Sequence, residues 1–288
     1  MTDPRVGLLG ATSLVGKCLI PLLINSSVWP CKFSRQSLEQ VVDGITWRNL
    51  SESCAAHVGQ LDHWICVAPI WVLSEHFPLL EASGARRVVA LSSTSLFSKD
   101  DSSDPNERAI ALRLAIAESR LRTWAEGRGV EWIVLRPTLI YGLGCDKNIA
   151  EIARFIRRFY FFPLFGKANG LRQPIHAQDV AGACLSALRA SDVANRAYNI
   201  SGGETLRYRE MVARVFTALG RRTRFLTVPL WAFRLAVAGL RYVPRYQQWS
   251  AAMAERMNRD LVFDHTEAAR DLGYMPRPFD LTDDDLRP

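Results

Sequence analysis

Lysine is scarce in this sequence: five of the 36 basic residues are Lys (17, 32, 99, 147 and 167) and the other 31 are Arg. Against 29 acids this leaves a formal charge of +7. Arginine suits bidentate contact with phosphate oxygens, although plain genomic bias produces the same usage. The cations run from Arg5 to Arg287 instead of gathering on one helix, so no nucleic-acid partner is expected. No Cys-x-x-Cys pair exists, and the six cysteines (18, 31, 54, 66, 145, 184) are scattered. They read as small buried apolar residues of a reducing compartment, with no metal site and no disulfide framework. No run of about 20 apolar residues is free of charge, which excludes a spanning helix. The opening Met1-Thr2-Asp3-Pro4-Arg5 has no basic n-region or cleavage site, so the expected location is cytoplasmic. Repeats and low-complexity segments are missing too, and with 48% apolar and 23% charged residues the chain is neither disordered, collagenous nor coiled-coil.

What is present is an alternation. Val6–Gly10 is a short apolar run ending in glycine, as in a buried parallel strand. Residues 14–24 follow as an apolar helix, expected to be interrupted near Pro21. Strand-like runs recur at Pro30–Ser34, Ile45–Arg48, Trp64–Ala68, Arg87–Ser92 and Glu131–Arg136. Helix-like segments at Ile70–Ala82 and Ile110–Gly127 separate several of them, the second after a polar loop Lys99–Asn106. This spacing implies βαβ units and an α/β fold: a doubly wound parallel sheet (Rossmann) over residues 1–142. Residues 143–288 are expected to form mainly a smaller C-terminal substrate lobe, with about 170–200 returning to the core. Helical stretches are expected there at Arg207–Leu219 and Leu230–Arg241.

The first strand feeds Gly10-Ala11-Thr12-Ser13-Leu14-Val15-Gly16, a strand, glycine turn and helix start of the kind that cradles a pyrophosphate on free backbone N–H groups. The alternative is a turn that only packs the helix on the sheet. At the second strand end an acid would favour NAD and a base NADP. Here stand Lys32-Phe33-Ser34-Arg35, with no acid until Glu39, so Arg35 with Ser34 is the candidate 2′-phosphate contact and NADP(H) the favoured cofactor, NAD remaining open. A solvated loop arginine is the competing reading.

From Gly10-x-x-Ser13-x-x-Gly16 onward the chain resembles the extended short-chain dehydrogenase/reductases, the NAD-dependent epimerase/dehydratase family, with Ser13 in place of the middle glycine of Gly-x-x-Gly-x-x-Gly. The resemblance implies dinucleotide contacts from this turn, including Thr12 and Leu14, from Asn49-Leu50, and from Val67-Ala68-Pro69. Val88–Phe97 resembles the family's fifth strand and its Ser-Ser-x motif, here Ser92-Ser93-Thr94. Thr94, or Ser93 after it, would then bond the substrate's reacting oxygen, and Ser92 and Pro137 would lie against the cofactor. Turn-capping hydroxyls are the alternative.

Family catalysis also needs Tyr-x-x-x-Lys on the next helix, where residues i and i+4 share a face. The lysine lowers the phenol's pKa from about 10 so that it can exchange a proton. Placed by Glu118, those positions hold Ile110 and Leu114, and no Tyr-x-x-x-Lys occurs anywhere in the chain. Tyr141, in Arg136-Pro137-Thr138-Leu139-Ile140-Tyr141-Gly142, is the remaining phenol, though in the family its counterpart is usually structural.

On the substrate side Asn148-Ile149 and the stretch Gly166–Ala181 resemble nucleotide-sugar epimerases. Arg172 takes the place of an arginine that contacts the substrate diphosphate, while Asp179 is expected to cap a helix and His176 to be packed. The resemblance continues through Tyr198–Glu210 and Ala268–Phe279. Arg154–Phe165 mixes aromatics with cations and Leu230–Arg241 is apolar with arginines at its ends. Both are read as covering cleft and core, with a bilayer-surface role as the alternative. The expectation is an NAD(P)(H)-binding epimerase/dehydratase- or reductase-like protein with a nucleotide-sugar-like small-molecule ligand; a homodimer is compatible with it. The competing expectation is a catalytically silent NADP(H)-binding redox sensor or assembly subunit.

Overall fold

A computed structural model describes residues 5–34, 46–49, 59–229, 231 and 251–287. In chain order the first half runs β1 (Arg5–Leu9), α1 (Leu14–Asn25), β2 (Trp29–Ser34), β3 (Thr46–Asn49), β4 (His63–Cys66), α2 (Ile70–Leu73), α3 (Phe77–Ala82), β5 (Arg87–Leu91), α4 (Ser95–Ser98), α5 (Pro105–Glu126) and β6 (Glu131–Pro137). Next come β7 (Ile140–Tyr141), α6 (Ile149–Phe159), β8 (Phe162–Phe165), β9 (Leu171–Arg172), β10 (Ile175–His176), α7 (Ala177–Arg189) and β11 (Arg196–Ile200). The last stretch holds β12 (Leu206–Arg207), α8 (Tyr208–Ala218), β13 (Phe225–Val228), α9 (Ala251–Asn258), α10 (Thr266–Leu272) and α11 (Asp283–Leu286).

Strands of continuous apolar residues must be covered on both faces. Accordingly every residue of β5 is buried, and Val6, Leu8 and Leu9 of β1 are too. Seven of the described strands form one sheet, ordered β11-β6-β5-β4-β1-β2-β3, with every pairing in it parallel, and the rest pair two by two as β10-β7, β12-β9 and β13-β8. The doubly wound fold expected from the alternation is therefore present. Its strand order reverses between β1 and β4, and the crevice beyond their carboxyl ends is where such sheets bind ligands.

Three expected elements differ in detail. Helix α1 is not interrupted at Pro21: the ring is exposed to solvent, while Val15, Cys18, Leu19 and Leu23 hold the helix on the core. Ile70–Ala82 is not one helix but two, separated by a 3-10 turn at Ser74–His76. Pro78, in the first turn of α3, has no N–H with which to continue the preceding spiral. Helix α5 begins at Pro105 and not Ile110, because the Asp104 carboxylate accepts from the Asn106 N–H at 2.9 Å and proline suits the first helical position. Of the described cysteines, 18, 31, 66 and 184 are buried thiols, but Cys145 is exposed. Leu230–Arg241 lies outside the described residues apart from Trp231.

After β6 the chain both leaves and rejoins the sheet. β11 pairs with β6 from Arg196↔Ile133 to Ile200↔Pro137, and α7 contributes Val180, Ala181 and Cys184 to the same apolar cluster as Leu19 and Leu23 of α1. A separate cluster joins Ile149, Ile152 and Ile156 of α6 to Met211, Val215 and Phe216 of α8 and Phe162 of β8. The space between this lobe and the sheet edge is the cavity described below.

The C-terminus is latched to the sheet edge by a buried pair. His176, not Asp179, caps α7: its Nδ1 accepts from the Gln178 N–H at 3.1 Å. The proton is thereby left on Nε2, which donates to Asp285 Oδ1 at 2.9 Å. Asp179 instead accepts from the N–H and Nε of Arg277, at 3.0 and 2.9 Å. Burial pushes the Asp285 carboxyl up, but the bonds from His176 and from the N–H and hydroxyl of Thr282 outweigh it and hold the pKa at about 2, below the usual 3.8. Because the folded-state value is the depressed one, this stabilisation is complete above about pH 4 and is lost as pH falls through about 2. Asp285→Asn should lower the unfolding free energy near neutral pH by about 2 kcal/mol and flatten its fall between about pH 4 and 2, as read from urea titrations at several pH values.

Candidate functional site

The turn after β1 is built on close backbone approach. Gly10 has φ +87°, and a Cβ there would lie 2.3 Å from the Ala68 nitrogen on the loop after β4. A Cβ on Gly16 would lie 2.4 Å from the Gly10 carbonyl oxygen. Ser13, at the position of the missing glycine, caps α1: its hydroxyl accepts from the Gly16 N–H at 3.0 Å. The serine thus takes one of the orphan N–H groups of the first turn, leaving those of Leu14 and Val15 without intrahelical acceptors. That turn contains no acid, so the positive end of α1 faces the switch-point crevice beside Val67-Ala68-Pro69. These features fit a dinucleotide pyrophosphate. At the far end of the crevice Ser34 and Asn49 are register partners at the ends of β2 and β3. The side chains of both, and Arg35 and Leu50 altogether, lie outside the described residues.

Ser92 ends β5 with its hydroxyl donating to Glu118 of α5 at 2.5 Å. Arg136, from β6, grips the same carboxylate through Nε at 3.0 and 3.2 Å and through Nη2 at 2.5 Å. The Ser93 hydroxyl accepts from the Ser95 N–H at 3.1 Å. Buried Thr94 donates both its N–H and its hydroxyl to the Pro137 carbonyl, each at 3.1 Å. Its hydroxyl proton is therefore committed, while its lone pairs remain able to accept from a ligand hydroxyl.

Helix α5 brings no proton relay to this wall. Leu114 is buried in the cluster that holds Ile70, Leu73 and Ala90, and Ile110 is 39% exposed. Neither side chain can carry a proton. Tyr141 does not replace them. It is fully buried on the other side of the strand end, edge-on to His176 and Phe279, with its hydroxyl 3.4 Å from the Asp280 carbonyl. Burial, together with the charges of Asp285 and Asp179, drives its pKa upward, so the phenol keeps its proton. The expectation of a cleft-facing phenol at 141 is corrected.

A cavity of about 930 Å³ opens between the sheet edge and the lobe, with Ser93 and Thr94 at one wall and Asn148 of α6 and Arg172 at others. Arg172 is 4% exposed. Its Nη1 donates to the carbonyls of Leu171 and Arg259 at 2.7 and 2.8 Å, its Nη2 donates to the carbonyl of Arg256, and Tyr208 stacks beneath at 5.5 Å. Among the described residues no carboxylate pairs with it. Burial lowers its pKa to about 10 and pushes the Tyr208 phenol up to about 12. Asn148 begins α6 without capping it; Asp146 accepts from the Asn148 N–H at 2.7 Å.

Arg154 and Arg158 line this cavity, within the stretch read from the sequence as covering the cleft, and sequence reasoning did not single out three further cations on it: Lys99, Lys147 and Arg256. Arg256 is paired with buried Glu107. Lys99 is half-buried and its side chain has no hydrogen-bond or ion-pair partner among the described residues; burial and the charge of Arg256 lower its pKa, which Asp104 partly offsets. Nothing in one sequence signals these pairings, which join segments about 150 residues apart.

The model of the NAD dependent epimerase/dehydratase family matches residues 77–201, from α3 to just past β11. Over 163 residues the sequence is 25% identical to UDP-glucose 4-epimerase of Vibrio cholerae, an alignment covering 53% of this chain and 49% of that one. The chain thus spans about half the length of that curated relative. UDP-N-acetylglucosamine 4-epimerase from Bacillus cereus superposes with a TM-score of 0.70 over 97% of this chain and 95% of that one, at 16% identity. UDP-glucuronic acid 4-epimerase from Bacillus cereus, in complex with UDP-glucuronic acid and NAD, superposes at 0.71 over 94% of each chain, at 14% identity. The resemblance read from the motifs therefore stands, and the structural neighbours share the fold. Among the described residues no helix is long and apolar enough to cross a membrane.

The cap at Ser13 generates a measurable contrast. Ser13→Ala should cost about 1 kcal/mol of stability and Ser13→Gly only a few tenths, read as shifts in the urea midpoint.

Proposed function

We propose that this chain, whose residues 77–201 carry the epimerase/dehydratase family pattern, binds a nicotinamide dinucleotide across the β1/β4 switch point and a nucleotide-sugar-like ligand in the adjoining cavity. The observation that carries this reading is Arg172: a buried guanidinium facing a 930 Å³ cavity, held only by carbonyls and lacking a carboxylate partner among the described residues. A ligand diphosphate would supply the counter-charge, and the planar fork matches its oxygens. The turn at Gly10–Gly16 and the loop Val67–Pro69 would hold the cofactor pyrophosphate. The Ser34-Arg35 pair supports NADP(H), whereas the Bacillus cereus neighbour was solved with NAD.

When bound, the nicotinamide supplies hydride exchange with a ligand carbon. Thr94 would orient the ligand by accepting from a hydroxyl beside that carbon, which leaves free to move the proton of the hydroxyl on the carbon itself. The proton of that hydroxyl needs an acceptor, which neither Ile110 nor Leu114 provides. Lys99 lines the same cavity, and burial makes its ammonium easier to deprotonate than a free lysine. It is assigned the proton-carrying role. The second reading, a silent NADP(H)-binding sensor or assembly subunit, is favoured by the packing of Leu114 into the core where an ammonium would have to stand.

Calorimetry with NADPH and NADH, followed by a nucleotide-sugar panel watched for cofactor reduction or oxidation, separates the two. Turnover that falls about a hundredfold or more in Lys99→Gln, and also falls in Thr94→Val, establishes the enzyme. Dinucleotide binding without turnover of any sugar establishes the sensor, and failure to bind either dinucleotide overturns both. An Arg35→Ala variant that still prefers NADPH removes the cofactor assignment.

A further inference from the structure

The outer end of α6 and the two-stranded sheet beside it carry a surface that the reading above does not use. Phe159, Tyr160 and Leu226 are 46%, 57% and 52% exposed. Phe159 and Tyr160 are consecutive, and Leu226 lies on the strand paired with β8, which follows them. Tyr160 ends α6 with φ +65°, and β8, which follows, pairs with β13 so that Leu226 stands opposite Pro163. Behind them Phe155 packs against Phe159, Phe161 and Phe162 with ring centroids 4.7, 5.9 and 5.6 Å apart. This platform holds the exposed tips in place.

The fringe is cationic. Arg158 lies over the Phe159 ring at 5.4 Å and Arg221 over Tyr160 at 4.2 Å, and Arg222 and Arg224 are exposed beside β13. The segments that build the patch belong to acid-free stretches: no Asp or Glu occurs from Ile152 to Gln178 or from Met211 to Ala254. Glu151 is the acid at the other end of α6 and is paired with Arg154 at 2.8 Å. Arg157 turns to another face and donates to the Leu286 carbonyl at 2.7 Å, on the side where Asp283 and Asp284 lie.

Apolar and aromatic tips ringed by arginines, with no acid among them, complement an anionic lipid surface: the tips enter the headgroup boundary while guanidiniums on their apolar stems meet the phosphates. Nucleic acid would use the arginines but would leave Leu226 and Phe159 in water. Phe155, Arg158, Phe159 and Phe162 also line the 930 Å³ cavity, so the patch is continuous with that cavity's rim.

We propose that this edge, centred on Phe159, Tyr160 and Leu226 and ringed by Arg158, Arg221, Arg222 and Arg224, docks on an anionic bilayer surface with the α6 rim of the cavity turned toward the headgroups.

The test is co-sedimentation of the full chain with phosphatidylcholine vesicles, with and without about 30% phosphatidylglycerol. The expected result is at least about tenfold stronger binding to the anionic vesicles, weakened by about 0.5 M salt. Phe159→Ser with Leu226→Ser should lose about tenfold, as should Arg222→Glu with Arg224→Glu. Leu112→Ser, which removes a 61%-exposed leucine on α5, should change nothing. Circular dichroism of each variant monitors the fold. No binding to anionic vesicles, unaltered binding by the folded Phe159/Leu226 variant, equal loss in Leu112→Ser, or pelleting abolished by nuclease each overturns the proposal.

Discussion

Glu118 determines how the long helix α5 lies on the sheet. Its carboxylate is 8% exposed and takes the Ser92 hydroxyl from the end of β5 and a two-pronged grip from Arg136 at the end of β6. Breaking such a pair would strand a largely desolvated charge, which typically costs several kcal/mol. Three segments are thus locked at one point on the carboxyl edge of the sheet. Residues 110, 114 and 118 recur at four-residue intervals and share a helix face, so fixing Glu118 fixes where Leu114 and Ile110 point. The helix face on which the family resemblance implies a phenol and an ammonium is thereby fixed against the sheet, and here it presents Ile110 and Leu114.

The substitution at Leu114 follows from the same geometry. An ammonium at this place would have to be desolvated among Ile70, Leu73 and Ala90, which is unfavourable unless a bound anion or a hydroxyl repays it. Leucine removes that penalty and adds apolar burial. The binding features kept a different balance: Arg172 remains a buried cation whose desolvation is compensated by three carbonyls and an aromatic face. Under the proposed function, the cavity would thus keep a buried charge suited to anion binding while this helix face carries none suited to proton transfer.

Much of this was legible in the sequence because it depends on local pattern. Short apolar runs, the first ending in glycine, located the strands, and the strand–turn–helix at Leu9–Gly16 located the turn proposed to hold a phosphate. The absence of Tyr-x-x-x-Lys was plain from spacing alone. What remained hidden depends on contacts between distant segments. Tyr141 follows the sixth strand as a cleft residue would, yet the approach of His176 and Phe279 buries it. Asp179 has the position of a helix cap, but His176 reaches the free N–H first and Arg277 claims the carboxylate. Pro21 looked like a break until it fell on the solvent face of α1. Lys99 and Arg256 acquire meaning only because the loop before α5 folds against α9.

That last contact joins the cavity's charge to its walls. Glu107 pairs with Arg256 and Asp101 with Arg259, at 2.6 Å in the second case, so the first turn of α5 and the loop before it are clasped to the C-terminal end of α9. The carbonyls of these same two arginines are among the acceptors of Arg172. An anion drawn to Arg172 competes with those carbonyls for its N–H groups and acts on the residues that hold the loop. The loop in turn carries Lys99 and leads into α5. Under the proposed function, ligand charge and the position of Lys99 would thereby be linked through a continuous set of hydrogen bonds and ion pairs. A ligand lacking the anionic group would fill the same volume without engaging that linkage. Under the proposed function the cavity would therefore select by charge before it selects by shape.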